Sequence, residues 1–254
     1  MAELVIQPIE AFSDNYIWLL TRGDQAFVVD PGDAGPVLER LEIDNLKLQG
    51  ILITHHHFDH IGGVEALVSH TGCRVWGPKN TKMPFIDTIL GEGEAVDVLG
   101  TQFDVMEIPG HTLDHIAYVG GGAVFCGDTL FVGGCGRVFE GTLPMMRLSL
   151  ARLRDLPGET RVYCAHEYTL ANLAFAQTVA PQDDAILART TECQEMRSMG
   201  LPTVPSSIER ERSSNPFMRW DDPAIRDALT LHGRNIPEDG DIVFAELRQW
   251  KDNY

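Results

Sequence analysis

The sequence predicts an α/β protein whose sheets are covered by helices and whose C-terminal part is helical, and three observations predict it. Short apolar runs alternate with helix-like periods as far as residue 69; polar residues stand where buried runs exit into loops; and from Tyr168 onward the pattern turns to helical periodicity.

Leu4-Val5-Ile6, Tyr16-Ile17-Trp18-Leu19-Leu20 and Ala26-Phe27-Val28-Val29 read as three successive strands, parted by turn chemistry at Ser13-Asp14-Asn15 and Arg22-Gly23-Asp24. Asp30-Pro31-Gly32 stops the third. A helical period over 36–41 follows, and then Gly50-Ile51-Leu52-Ile53, a short β-branched run that reads as a buried strand. It delivers the chain to Thr54-His55-His56-His57-Phe58-Asp59-His60, after which Gly62-Gly63 allows a tight turn into an amphipathic stretch at 64–69. Further strands are expected at 73–76, 102–108, 123–127 and 161–165. Helical periods cover 167–180, 183–199, 223–232 and 241–254, broken by Pro181 and by Gly200-Leu201-Pro202, while 205–219 reads as irregular. The natural division is a catalytic domain over 1–167 and a helical, substrate-binding domain over 168–254.

With 254 residues, 44% of them hydrophobic and 22% charged, the chain can bury one large core, or one core and a smaller appended one. A membrane span needs about 18 to 20 consecutive apolar residues, which no stretch approaches. Met1-Ala2-Glu3-Leu4 lacks the basic and apolar regions of a signal peptide, so a cytoplasmic address is expected. The five cysteines, Cys73, Cys126, Cys135, Cys164 and Cys193, form an odd set without CxxC pairing, which predicts reduced buried thiols rather than disulfides or metal ligands. A formal charge of -17 excludes a nucleic-acid or anionic-membrane surface, because both repel such a protein at long range. An anionic small-molecule substrate must then be held by a local group of Lys and Arg. The expected state is a monomer.

Imidazoles and a carboxylate packed together after a buried strand read as a metal site. Along an extended backbone His55 and His57 point the same way, and Asp59 and His60 belong to the turn and can face a neighbouring position. His56, between them, should point away; it is given no ligand role, and its removal should be nearly silent. His111, Asp128 and His166 each follow a further strand, where layered α/β folds build sites. Singly, each could be a turn-stabilising Asp, a capping His or a satisfied core imidazole. Together with the cluster they make a set of His and Asp donors too large for one tetrahedral zinc, which takes about four, but suited to two metals. The expected split gives His55, His57 and His111 to one metal, Asp59, His60 and His166 to the other, and Asp128 to the bridge, which respects the alternation within the cluster.

Thr54-His55-His56-His57-Phe58-Asp59-His60, Gly110-His111-Thr112, Gly127-Asp128-Thr129-Leu130-Phe131 and Ala165-His166-Glu167-Tyr168-Thr169 resemble the successive signatures of the metallo-β-lactamase superfamily. Gly134-Cys135-Gly136-Arg137, Ser214-Asn215-Pro216-Phe217-Met218-Arg219 and Arg248-Gln249-Trp250-Lys251 narrow the resemblance to the hydroxyacylglutathione hydrolases. That resemblance implies an αββα sandwich with a smaller helical C-terminal domain, and two divalent metal ions per chain, zinc with iron or manganese as substitutes. It also implies hydrolysis of S-D-lactoylglutathione and related 2-hydroxyacyl thioesters, and with it methylglyoxal detoxification. It gives Arg137, Phe139, Tyr168, Arg248 and Lys251 to the glutathione moiety. In the family the loop base is often Lys and the loop aromatic often Tyr; Phe139 cannot donate the hydrogen bond that a Tyr would. Two cations lower the pKa of a shared water to about 7 and polarise a carbonyl. Asp59 and Asp128 serve that step, and Asp30 is either an acceptor that fixes a ligand imidazole or a turn residue before Pro31-Gly32. The alternatives within the same fold are a lactonase or a glutathione persulfide dioxygenase with a single iron, which would leave part of the ligand set unused. A metal-stabilised binding protein would leave Asp59 without a purpose.

Overall fold

In the computed structural model, which describes residues 3–233 and 237–254, the chain separates into two units. Met1 and Ala2 of the N-terminal segment lie outside the described residues.

The first unit is the chain up to Glu107 together with Asp114–Gly127. Strands β1 (Val5–Ala11), β2 (Asn15–Arg22) and β3 (Gln25–Val29) form an antiparallel meander. Helix α1 (Ala34–Ile43), capped by the Asp33 carboxylate on the Gly35 N–H, crosses over to β4 (Lys47–Leu52), which lies parallel to β3. Helices α2 (Phe58–Ile61) and α3 (Val64–Thr71) lead to β5 (Arg74–Gly77) and β6 (Thr88–Ile89), giving a sheet in the order β1-β2-β3-β4-β5-β6. A second run, β7 (Ala95–Val98), β8 (Thr101–Glu107), β9 (Ile116–Gly120) and β10 (Ala123–Gly127), is antiparallel in the order β10-β9-β8-β7.

Alternation decides which side chains meet. Ile17, Leu19, Val28, Ile51 and Val75 of the first sheet, with Ile53 just past β4, pack with Val37 and Leu41 of α1 and Val64 and Leu67 of α3. Their neighbours Trp18, Leu20, Phe27 and Leu52 are also buried, as expected of strands covered on both faces. On that second face Tyr118 of β9 donates its hydroxyl to the carbonyl of Ile53 at 2.8 Å. Burial, followed by the Asp30 carboxylate, pushes this phenol well above its usual range, so it stays a donor.

The second unit comprises Ile108–Leu113 and the chain from Asp128 onward. It opens with a hairpin of β11 (Leu130–Phe131) and β12 (Gly134–Cys135), then α4 (Leu143–Arg154) and β13 (Arg161–Cys164), which pairs with β14 (Ser206–Ser207). Helices α5 (Thr169–Val179), α6 (Asp184–Ser198), α7 (Ile208–Ser214), α8 (Pro223–Leu231) and α9 (Gly240–Asp252) complete it. Phe217 joins the rings of Phe175 and Phe244 at centroid distances of 5.9 and 6.0 Å. The sequence reading named none of the short strands β6, β7, β9, β11 and β12, and two further stretches depart from it. Helix α4 starts on a Thr142 cap that accepts from the Met145 N–H, and it was not expected. The stretch read as irregular holds β14, α7 and a 3-10 turn; α7 buries Glu211 and Ser214 beside Ile208, so it shows no apolar stripe in the sequence.

Among the described residues no helix is long and apolar enough to cross a membrane. All five cysteines are buried and outside any disulfide.

Candidate metal centre

In the first unit β4 ends at Leu52, and α2 begins at Phe58 with His57 at its N-cap, so the histidine cluster occupies a short extended segment and the helical turn behind it. The rings of His55 and His57 stand 4.8 Å apart, and those of His55 and His60 4.1 Å apart. Asp59 keeps a side chain 39% exposed, with Oδ2 3.5 Å from His60 Nε2 and taking a hydrogen bond from Asn15 Nδ2 at 3.0 Å.

The buried carboxylate of Asp30 organises this cluster. Its Oδ1 accepts the Thr54 N–H at 2.7 Å; its Oδ2 accepts the Thr54 hydroxyl at 2.6 Å and lies 2.9 Å from His60 Nδ1. An ionised carboxylate only accepts, so His60 carries its hydrogen on Nδ1 and presents Nε2 as the lone-pair nitrogen. Thr54 Oγ1 has given its hydrogen to Asp30 and can only accept from His55 Nδ1, 3.0 Å away. His55 therefore has the same tautomer, and one carboxylate readies two imidazoles for a metal. Asp30, His55 and His60 are grouped closely enough to hold an ion themselves, but both Asp30 oxygens already accept hydrogen bonds, which suits a support better than a ligand.

Gly127 at the end of β10 belongs to this support. Its φ is +45°, and a Cβ there would stand 2.4 Å from Thr54 Oγ1 and 2.8 Å from His115 Cε1. Only glycine lets β10 pass behind the Thr54 hydroxyl.

In the second unit His111, Asp128 and His166 converge. Asp128 Oδ2 is 3.5 Å from His111 Nε2, and Oδ1 is 3.4 Å from His166 Nε2, so each oxygen of one carboxylate faces a different imidazole. His111 Nδ1 lies 2.8 Å from the carbonyl of Arg137, which fixes the hydrogen on Nδ1 and again leaves Nε2 as the ligating atom. Gly136 permits this approach, because a Cβ on it would fall 1.9 Å from the Asp128 carbonyl oxygen. The donor set, neutral imidazoles anchored through Nδ1 beside carboxylates, fits a divalent cation of the zinc, iron or manganese type.

Beside His111 and Asp128 opens a cleft of about 380 Å³, lined among others by Phe131, Arg137, Phe139, Tyr168, Arg248 and Lys251. Tyr168 stacks on His166 with centroids 4.6 Å apart and planes 6° apart, while Phe139 is 63% exposed. Arg137 reaches within 3.9 Å of Asp252 and remains largely exposed. The two basic residues of α9 differ from each other. Arg248 is buried, donating from Nη1 to the Cys135 carbonyl at 2.9 Å and pairing with Asp252 at 2.9 Å. Lys251 donates to the Ala171 carbonyl at 3.1 Å, with its ammonium over the rings of Phe175 and Tyr254.

His56 corrects one expectation. It is buried, with Nδ1 3.0 Å from Asp114 Oδ1 and Nε2 receiving a hydrogen bond from Lys82 Nζ at 2.7 Å. Replacement by alanine takes a partner from a nearly buried carboxylate, so His56→Ala is expected to cost about 1–3 kcal/mol, roughly a 2–10 °C drop in Tm, instead of being silent. Thermal melting with metal content measured alongside checks this; an unchanged Tm would refute it. The sequence reading also passed over Thr54, Asn15 and His115, which stacks on His55 at 4.5 Å. Thr54 and His115 stand inside or beside the motifs, while Asn15, at the first position of β2, carried no local signal.

Residues 12–166 match the metallo-beta-lactamase superfamily, and residues 167–254 match the hydroxyacylglutathione hydrolase C-terminus. A hydroxyacylglutathione hydrolase of Chromohalobacter salexigens is 51% identical over 256 residues, covering 99% of this chain and 100% of its own length. Among solved structures, ETHE1 from Myxococcus xanthus superposes with a TM-score of 0.67 at 27% identity, covering 97% of this chain and 98% of its own. TTHA1623 in a di-iron-bound form gives 0.58 at 25% identity, covering 85% and 99%.

Proposed function

The chain belongs to the hydroxyacylglutathione hydrolase family of the metallo-beta-lactamase superfamily, and from that membership we propose that it hydrolyses S-D-lactoylglutathione to D-lactate and glutathione, a step of methylglyoxal removal. The observation that carries the reading is the cleft in which His111 and Asp128 share a wall with Arg137, Tyr168, Arg248 and Lys251. A carboxylate and imidazole arranged for metal thus adjoin a basic, aromatic-lined groove suited to an anionic peptide thioester.

We assign His55, His57 and His111 to one divalent ion and Asp59, His60 and His166 to the other, with Asp128 as the bridge. Two such cations supply Lewis-acid polarisation of the thioester carbonyl and an acidified water. The residues supply the rest. Asn15 restrains the Asp59 carboxylate, which can orient the attacking water. Water loses a proton to solvent as its oxygen bonds to the carbonyl carbon, the carbon–sulfur bond breaks, and glutathione leaves as thiolate, which takes a proton from solvent and needs less acid help than an amine, while the acid product ionises to D-lactate. The direct test follows thioester absorbance on S-D-lactoylglutathione with metal quantified in the same sample. Absence of turnover in metal-replete protein would sink the assignment.

Lys251 gives the reading a pH signature. Burial first, then the neighbouring positive charge of Arg248, lowers its pKa to about 8. The ammonium is complete below that value and lost above it, so the KM for the glutathione thioester should climb as pH rises through about 8. A charge-assisted contact contributes on the order of 1.5–3 kcal/mol, which sets the plateau rise at roughly ten- to 150-fold if KM tracks dissociation. Lys251→Ala should show the high KM throughout and flatten the profile, with little change on a small neutral thioester lacking the peptide. An unflattened profile would remove Lys251 from substrate recognition.

A further inference from the structure

The hairpin β11–β12 is held by far more than its own ladder. Backbone groups of five consecutive residues, 131–135, are bonded to side chains that the fold buries. Asn215 Nδ2 donates to the carbonyls of Phe131 and Gly134 at 3.2 and 2.9 Å, and Asn172 Nδ2 donates to that of Val132 at 3.2 Å. The Gly133 N–H donates to Glu211 Oε2 at 2.9 Å, and Arg248 donates to the Cys135 carbonyl. Glu211 and Asn215 are completely buried, and Asn172 and Arg248 nearly so. The Glu211 carboxylate is itself bracketed, accepting from the Ser206 hydroxyl and lying 3.0 Å from Asn215 Nδ2, whose two hydrogens are shared among it and the two hairpin carbonyls.

A buried carboxylate and amide are costly unless every group is satisfied, and here the loop supplies three of their partners, the Gly133 N–H and the carbonyls of Phe131 and Gly134. For stability alone, apolar side chains of the same volume would serve as well. The loop runs on into Gly136, Arg137 and Phe139, which with Phe131 and Cys135 wall the cleft; Glu211 and Asn215 do not line it. We propose that Glu211 and Asn215 are positioning residues that hold 131–135 in one conformation, so that Arg137 and Phe139 meet the glutathione moiety in a fixed place. The inference deepens the proposed function and rests on it. It also gives a task to Ser214-Asn215-Pro216-Phe217-Met218-Arg219, since the Asn215 side chain both accepts the Phe217 N–H at 3.0 Å and reaches the hairpin.

The test uses the metal-loaded full chain, with glutathione binding measured by calorimetry and hydrogen exchange followed over 131–139. Asn215→Ser keeps an oxygen able to cap the Phe217 N–H but no longer reaches the hairpin carbonyls. It should weaken glutathione binding about tenfold and speed exchange in 131–136 ahead of α5 and α6. Glu211→Gln keeps one oxygen for Gly133 and Asn215 and turns an NH2 toward the Ser206 hydroxyl, so it should stay within about threefold of wild type. Unchanged affinity in Asn215→Ser, or exchange that accelerates equally through every helix of the unit, overturns the proposal. Should Asn215→Ser not fold, Ser206→Ala, which removes a single donor to Glu211, must still shift exchange at 131–136 or the proposal falls. Wild-type protein that does not bind glutathione would instead unseat the functional reading, and the exchange comparison would still decide whether the side chains hold the loop.

Discussion

Asp128→Ala is expected to abolish binding of the metal pair and to lower kcat/KM by roughly a thousandfold or more, the rate equivalent of the several kcal/mol that metal ions contribute to stabilising transition-state charge. The reason is geometric. The two oxygens of Asp128 stand 3.5 and 3.4 Å from the Nε2 atoms of His111 and His166, which the assignment gives to different ions. A methyl group neither reaches nor neutralises either, and two close cations without a carboxylate between them repel one another with little water to screen them. Elemental analysis of the purified variant and thioester turnover are the two measurements. Two metals per chain with full activity would show that Asp128 is no bridge.

Asp30→Ala should act on both stability and metal. Three hydrogen bonds lose their acceptor, from the Thr54 N–H, the Thr54 hydroxyl and His60 Nδ1, all buried. Asp30 also has φ of +53°, a conformation that Asp tolerates better than Ala. The combined cost is on the order of 2–5 kcal/mol, read as a lower melting temperature in metal-free protein. Because Asp30 fixes the tautomers of His60 directly and of His55 through Thr54, metal affinity should fall about 10- to 100-fold as well. If Asp30 were only a turn residue before Pro31-Gly32, the melting temperature would drop while the metal dissociation constants stayed where they were.

The histidine segment was legible because its information is local: alternation along an extended backbone and a turn behind it are properties of neighbouring residues. Strands β2 and β3 and the end of β4 were legible for the same reason, being short apolar runs, whereas the Lys47-Leu48-Gln49 start of β4 was not. The supports were not. Thr54 meets Asp30 across 24 positions, Asn15 meets Asp59 across 44, and His56 meets Asp114 across 58, so only the folded chain brings the partners together. His56 illustrates the limit well, since alternation gives the direction in which its ring leaves the strand but says nothing of what waits there. Helix α7 was hidden for the opposite reason. Its buried face carries Glu211 and Ser214 with Ile208 alone apolar, and apolar spacing passes over Glu211, although its partners Gly133, Ser206 and Asn215 make it as much an interior residue as any leucine.

The buried cysteines bear on the company this protein would keep. Burial raises the thiols of Cys73 and Cys135, and drives those of Cys164 and Cys193 up to about 12 and about 11. Thiolate, not thiol, attacks disulfides, so these four sulfurs are poor nucleophiles at neutral pH. Cys135 is the telling one, because it sits in the wall of the cleft to which the proposed reaction is assigned. If the proposed reaction takes place there, a sulfur so buried, with its pKa raised by that burial, is expected to form little mixed disulfide with oxidised glutathione, which mass spectrometry of the incubated protein checks.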